Sequence, residues 1–581
     1  MRFALLKHPG LIAIAAAALA MPALWVGLQF DDYLLEQQIQ GASGLDEVTA
    51  ELFRLHPGDS ETTAHLMEQG VLPWWTYPDM RVAFWRPISA ITHWLDHRLW
   101  PDSPVRMHAH SLVWFALLIA VIAVLYRTLM PTTGTVRSRV LAPCFLAAWL
   151  YALDDAHGFA VGWIANRNIL LATLFGSASL LTYSKWRRDG WRPGAWLTPL
   201  LLLLGLLSAE SAVAILSYFF AYALFLDDAS RRWIALTPSL LIVVGWQVVY
   251  RHQGYGVTGT AYSDPLHNPG RYLFDLLERA PVLLLGQLAL PPAEFHNLLS
   301  GPGRIASWTI AVVVVVVVLR MVCRPTPIGV QRSSSLDTRL TRFWMVGMLG
   351  ALLPASVILP AGRMLFFTGL GAMGLISQFL ANHTFDKSTS CGRATRILGG
   401  VLVAIHLVAA PLSLPLNSYG PKLLGNLEPA ARGLPVDESK VIVIVAAPSA
   451  FHTGLIPYLR ERGGQSIPRT VRVLATTLRT VEVERIDSQT VAVRPAGGFL
   501  LGLESLFRSR DHALERNERI QLPDATIEVT ELTPEGNPAE VRFRFTVPLS
   551  DASLAWFYWR RGEYAHFTLP EPGEAVTLAL W

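Results

Sequence analysis

The chain has 581 residues, of which 52% are hydrophobic and 16% charged, with a formal net charge of +4. A soluble globular chain carries about 25% charged residues, so the excess apolar content must face lipid. The small positive balance fits Lys and Arg in short inside loops and argues against a nucleic-acid surface.

An apolar run from Pro9 to Phe30 carries no charged residue. Arg2, Lys7 and His8 precede it and Ala18-Leu19-Ala20 has the look of a signal cleavage site, but the run is too long for a signal peptide's apolar region, which spans about 7–15 residues. It reads as an uncleaved first span with its N-terminus inside. Residues 31–107 form a large first outside loop, with aromatic pairs at Trp74-Trp75 and Phe84-Trp85 and a helical face from Ser89 to Trp100 that Pro101 ends. A second span follows from His108 to Leu129, with Arg127, Arg137 and Arg139 marking the inside. The third span (140–153) ends at Asp154, Asp155 and His157, and the fourth (163–183) ends at Lys185, Arg187 and Arg188. Residues 196–226 are too long for one crossing and break at Ser208-Ala209-Glu210-Ser211, which places Glu210 at an outer turn. A seventh span covers 233–250. Residues 272–292 read as a re-entrant or surface-lying helix, because a full crossing there would put Arg320, Arg324, Arg332, Arg339 and Arg342 outside. Spans at 303–320, 343–360, 364–381 and 396–415 bring the total to about eleven at roughly 20 residues each.

Past residue 430 the pattern changes. Val441 to Val445 reads as a buried strand and Thr453 to Glu461 as a helix. Alternating runs at 471–474, 480–483, 490–493, 526–530, 541–547 and 555–559 follow, separated by turn residues. The expected architecture is therefore a polytopic α-helical membrane domain (1–425) and a soluble, mostly β domain (430–581) on the outer, extracytoplasmic face. Cys144, Cys323 and Cys391 lie far apart and define neither a metal site nor a disulfide.

The chemistry centres on Phe30-Asp31-Asp32-Tyr33, two adjacent carboxylates at the exit of the first span. An ionisable residue at membrane depth is a functional-site hypothesis by default; the plainer reading is that the pair marks the water boundary. A lone carboxylate pair makes a weak divalent-cation site, so no metal ligand is assigned and a divalent metal is left open.

Several short motifs occur in order on one side of the membrane. They are Asp31-Asp32 after the first span, Trp85-Arg86-Pro87-Ile88, and His108 at the start of the second span. His157 with Trp163-Ile164-Ala165-Asn166-Arg167-Asn168, then Ser208-Ala209-Glu210-Ser211, and Arg363 before an apolar run complete the set. Over residues 1–415 the chain resembles the GT-C membrane glycosyltransferases, and among them the protein O-mannosyltransferases of the transmembrane-and-TPR type and their bacterial relatives. That resemblance implies an inverting enzyme of the cytoplasmic membrane. It would move a sugar such as mannose from a polyprenyl-phosphate donor to a protein hydroxyl or an envelope glycan on the outer face. It assigns Asp31 or Asp32 as the base, with Asp32 alternatively orienting the acceptor or a metal. Arg86, Arg167 and Arg363 are implied for the lipid phosphate or the sugar, and His108, His157 and Glu210 for the pocket wall. Each has a plainer reading: Arg86 snorkels, Glu210 is solvated at its turn, and Arg167 pairs with Asp154 or Asp155.

The sequence departs from the family pattern at Phe159, where an acidic residue is usual, and at Asp155 in place of Pro. It departs again at Ala209 in place of Lys, Gly362 in place of Glu, and Ser111 and Phe115 in place of Asn and His. Asp154 and Asp155 could supply a displaced carboxylate. Asp264, His267 and Glu294 read as ordinary loop polar groups. Two other functions compete: a non-catalytic relative that binds glycan or protein, and a lipid or sugar transporter. The second is disfavoured by charges gathered at span ends and by the absence of a visible inverted repeat.

Overall fold

The computed structural model describes residues 8–130, 142–299, 301–323, 335–384, 392–425, 427–435 and 437–580. Arg2, Lys7, Arg137, Arg139, Arg324, Arg332 and Cys391 lie outside the described residues. The chain is mostly helical and ends in a β-rich region. It divides into two compact units, one of 1–53, 84–255 and 264–422, the other of 54–83, 256–263 and 423–581.

Five segments of the described chain are long and apolar enough to cross a membrane: Pro104–Leu129, Ile164–Asp189, Ile234–His252, Gly301–Val322 and Arg393–Gly433. Their outward faces are apolar, as at Val113, Leu117, Leu241, Val244, Val248 and Val313, all exposed. This is the surface of a membrane protein. Pro9–Leu19, Gly194–Leu206 and Glu210–Phe225 are shorter apolar helices. The first run does not continue as one helix to Phe30. It passes through a 3₁₀ turn at Met21–Trp25, with Pro22 near its start, and then Gly27 at φ 78°. Pro22 cannot donate to the preceding turn, and Gly27 takes a left-handed conformation that ends helical geometry. The break foreseen near Ser208 is present, as a 3₁₀ turn Glu210–Ala214 before the helix Ile215–Phe225.

The core of the first unit is the helix Phe366–Phe379, every residue of which is buried. A helix apolar all round belongs at the centre of a bundle. Three tyrosines from other helices cap its first turns: Tyr126, Tyr151 and Tyr218 donate to the carbonyls of Leu370, Phe366 and Phe367 at 2.5, 3.0 and 2.6 Å. The 272–292 segment forms the helix Pro269–Leu288. Asp275 and Arg279 pair on its inner face at 2.9 Å, while Leu273, Phe274 and Leu277 are exposed on the other.

The second unit contains three sheets. Their strands are β1 (Arg54–Pro57), β2 (Arg81–Ala83), β3 (Gly256–Thr258), β4 (Val441–Ala447), β5 (Thr470–Thr476), β6 (Val481–Arg485), β7 (Thr490–Pro495), β8 (Arg519–Gln521), β9 (Ala525–Leu532), β10 (Pro538–Phe545), β11 (Leu554–Arg560), β12 (Glu563–His566) and β13 (Ala575–Leu578). β1, β2 and β3 form an antiparallel sheet in that order. A six-stranded antiparallel sheet runs β13-β6-β7-β10-β9-β8, and a four-stranded sheet runs β12-β11-β4-β5. In the latter β4 is parallel to both neighbours. A parallel central strand is covered on both faces, which is why Val441–Ala447 is apolar throughout and wholly buried. The β4-to-β5 crossover carries the helices Ala450–Gly454 and Ile456–Arg462, so this part is α/β within a β-rich unit.

The C-terminal division falls at 422/423, near the expected place, but residues 54–83 of the first loop and 256–263 fold with the C-terminal strands, which the sequence did not show. Trp74, 3% exposed, donates its indole N–H to Leu474 O at 3.1 Å and packs edge-on against Phe499 and Phe543. Arg472 donates to the carbonyls of Met67 and Glu68 at 2.5 and 2.7 Å, and Arg508 to that of Trp75 at 2.7 Å. The Trp74-Trp75 pair is thus a core element of this unit.

Candidate functional site

Asp31 and Asp32 open the helix Asp31–Gly41, where exposed amides favour negative charge. The turn that presents them is strained. Phe30 sits at φ 50°, ψ −120°, and the Asp32 amide donates back to Gln29 O at 2.9 Å. That is a tight turn with a bulky residue in the position glycine normally takes. Backbone strain of this kind costs about 1–3 kcal/mol and gathers at functional sites.

The two aspartates have separate fates. Asp32 is 2% exposed, and its oxygens accept from the Gln29 and Ala165 amides at 2.9 and 2.7 Å. It locks the Phe30 turn and ties it to the turn that carries Trp163. Asp31 keeps a buried Oδ1 with no hydrogen-bond partner. Burial pushes its carboxyl up to about 6, against the opposing pull of the Arg363 guanidinium first, with Trp163 and then Arg86 further down the order. Of the pair, Asp31 is the carboxylate still open to a ligand.

Arg86 and Glu210 come together because their elements dock at the backbone. Pro87 starts the helix Pro87–Leu99 and keeps Arg86 out of helical geometry. Ile88 N–H donates to Leu207 O at 3.0 Å and Ser89 Oγ to Ser208 O at 2.8 Å. Arg86 then reaches Glu210 Oε2 through Nε at 2.9 Å and Nη2 at 2.7 Å, lying over the Phe84 ring. Glu210 Oε1 and Ser211 Oγ are buried without partners. Arg363 stands on the 3₁₀ turn Gly362–Met364, its guanidinium over the Trp163 ring at 5.0 Å and its Nε without a partner. Asp31, Arg86, Glu210 and Arg363 therefore share one locality, walled by Trp163 and Phe30, whose rings are 5.5 Å apart. Asp31 Oδ1, Glu210 Oε1 and Arg363 Nε are each buried without a hydrogen-bond partner.

The other expected residues are engaged elsewhere. Arg167 is fully buried in the protein. It pairs with Asp96 at 2.5 Å and donates to Ser111 Oγ, Met107 O and Thr92 O at 3.0, 2.8 and 3.3 Å. Its partner is Asp96, not Asp154 or Asp155, and this set leaves it clamping helices, not reaching a phosphate. His108 is at hydrogen-bond distance, 3.0 Å, from Gly27 O and holds the segment before Phe30. His157 is caged by Tyr151 and Phe366 at 4.5 and 4.4 Å, and burial pushes it down to about 3, which keeps it neutral. Asp154 accepts from Gln287 at 2.8 Å and from the Ala156 amide at 3.1 Å; burial, then the charge of Asp155, pushes it up to about 7. Asp155 accepts from Asn417 at 3.2 Å.

The departures from the family pattern have local counterparts. Ser111 is the Arg167 acceptor, Phe115 packs on His157 at 5.9 Å, and Phe159 packs on Trp163 at 5.7 Å. Beside Gly362 stands Glu294, whose Oε1 accepts the Gly362 amide at 2.5 Å. Glu294, read from the sequence as an ordinary loop polar group, holds the Gly362 amide, and Asp96, which the sequence did not single out, is the partner of Arg167. Among the described residues no cluster of three or more His, Cys, Asp or Glu could hold a metal ion. A scan against protein-family models finds no match to this chain, and a search of curated proteins finds none either.

Proposed function

We propose that the protein is an inverting membrane glycosyltransferase that takes its sugar from a polyprenyl phosphate. Asp31 accepts the proton of an acceptor hydroxyl as its oxygen attacks C1 of the sugar. The C1–O bond to the lipid phosphate breaks on the opposite face, inverting the anomeric centre. Arg363, with Arg86 held by Glu210, offers cationic donors to the departing phosphate. Trp163 supplies an apolar platform for the sugar ring, and the apolar helices, completing about eleven spans of roughly 20 residues, hold the lipid. In this reading the second unit lies outside the cytoplasmic membrane, where the acceptor arrives.

The observation that carries this reading is the Asp31 carboxylate, presented on a strained turn with a buried oxygen left without a partner; burial also pushes its carboxyl up to about 6. A general base works best with a pKa near the operating pH, and a group that only marked a water boundary would not need such a turn. Mass spectrometry of envelope glycoproteins and glycans tests it. Cells lacking the protein, and cells carrying Asp31→Asn at normal membrane levels, are expected to lose the same sugar modification. Unchanged profiles in both overturn the reading. Loss in the first with retention in the second would instead favour a binding role.

A further inference from the structure

The Arg363 turn is tied down by a segment from a distant part of the chain. Ala293–Leu298 forms a 3₁₀ segment that bonds this turn twice. The Gly362 amide donates to Glu294 Oε1 at 2.5 Å, and Asn297 Nδ2 donates to Pro360 O at 2.8 Å. The approach is close from both sides: a Cβ on residue 362 would lie 3.3 Å from Glu294 Oε1 and 3.4 Å from Ala156 Cα. Arg363 itself has a stacking contact on Trp163 and an unpartnered Nε. Its side chain has little of its own to fix it, so its place depends on where this turn is held.

We propose that Glu294 is a positioning residue whose carboxylate, by gripping the Gly362 amide, sets where Arg363 stands beside Asp31. This rests on the reading of Asp31 and Arg363 as one site. Glu294 touches no reacting atom; it acts through the backbone of the next turn. An amide oxygen would grip the same N–H, so the role needs an acceptor and not a charge.

The two possibilities, grip and charge, move Asp31 in opposite directions. Arg363 is the strongest influence holding the Asp31 carboxyl down, with Arg86 weaker and Asp32 adjacent. If Glu294 acted on Asp31 by charge alone, removing that negative charge would make Asp31 more acidic in both the Ala and the Gln variant. If it holds Arg363 in place, Glu294→Ala frees the arginine and makes Asp31 less acidic, while Glu294→Gln does not.

The test is the Asp31 carboxyl band in infrared difference spectra of the full chain in nanodiscs, assigned by its loss in Asp31→Asn. Glu294→Ala, and Asn297→Ala as an uncharged second loosening of the same turn, are expected to raise the midpoint by about one pH unit, in the range an opposite charge commands. Arg363→Met should raise it as much, and the Glu294→Ala/Arg363→Met pair no further. Glu294→Gln should match the wild type. Midpoints unchanged or lowered in Glu294→Ala and Asn297→Ala, with Arg363→Met still raised, overturn the positioning role. A wild-type midpoint in Arg363→Met instead removes the Asp31–Arg363 coupling and the proposed site with it.

Discussion

Asp31 lies beyond the apolar run that ends at Phe30, and its carboxyl is raised from 3.8 to about 6, chiefly by burial. A carboxyl with a folded pKa above its unfolded value binds more protons folded than unfolded across that window. Stability therefore falls as pH rises from about 4 to about 6 and stays reduced above it. The difference of about 2 pH units corresponds to at most about 3 kcal/mol at 1.36 kcal/mol per unit, less what solvent screens at this half-buried group. Asp31→Asn keeps the shape and removes the ionisation. It should raise the melting temperature of the purified protein at pH 7.5, and the gain should shrink at pH 5 and vanish near pH 4. The same change should cut sugar transfer by about 10²–10⁴-fold, the usual contribution of a general base. Opposite signs for stability and activity are what a group kept for chemistry at the expense of the fold must show. Thermal melts at several pH values, run beside a transfer assay on isolated membranes, measure both. A variant less stable than the wild type at pH 7.5 would refute the argument, since it would make Asp31 a structural carboxylate like its neighbour Asp32.

Three further outcomes follow from the packing. Asp96→Asn weakens a fully buried pair with Arg167 whose loss costs about 3–5 kcal/mol; the yield of monodisperse protein should collapse, and a wild-type elution profile and melt would refute the pairing. Gly162→Ala places a Cβ 2.0 Å from Ser418 O, an overlap costing about 1–3 kcal/mol or more; since residue 162 precedes Trp163, transfer should fall along with stability, and unchanged melts would contradict the close approach. Trp74→Ala empties a site between Phe499 and Phe543 at a cost of about 3–5 kcal/mol. Hydrogen exchange should then quicken in β5, β7 and β10 and stay slow in Phe366–Phe379; unaltered exchange in those strands would separate the first loop from the C-terminal sheets.

What the sequence could show was set by range. Periodicity and the Arg and Lys clusters place Pro104–Leu129, Ile234–His252 and Gly301–Val322 within a few residues, because a membrane helix satisfies its own backbone and needs no distant partner. β4 is legible as an unbroken apolar run, and β5 to β7 and β9 to β11 for a related reason: alternation reports a half-buried face wherever the strand pairs. β8, β12 and β13 are three or four residues long, too short to show an alternation of their own, and β13 pairs with the distant β6. The sorting of 54–83 with the C-terminal strands is equally invisible locally, since Arg472 and Arg508 bond carbonyls of 67, 68 and 75, and a carbonyl has no residue identity.

The same limit explains which site residues could be foreseen. Motif order picks out charged residues but not what each is bonded to, and in this fold the bonding divides them. Asp32 and Arg167 have their polar atoms turned onto backbone and buried side chains, and they fix the Phe30 turn and the helix crossing at Asp96; His108 holds Gly27 through Nε2 and keeps Nδ1 without a partner. Asp31, Glu210 and Arg363, drawn from the same motifs, each keep a buried polar atom without a partner. Leaving a buried donor or acceptor unpaired costs about 1–3 kcal/mol, a cost that a bound polar ligand would offset. The residues engaged in the first group hold that arrangement in place, and under the proposed function those left open in the second are the ones that would meet the hydroxyls and phosphate of the substrate.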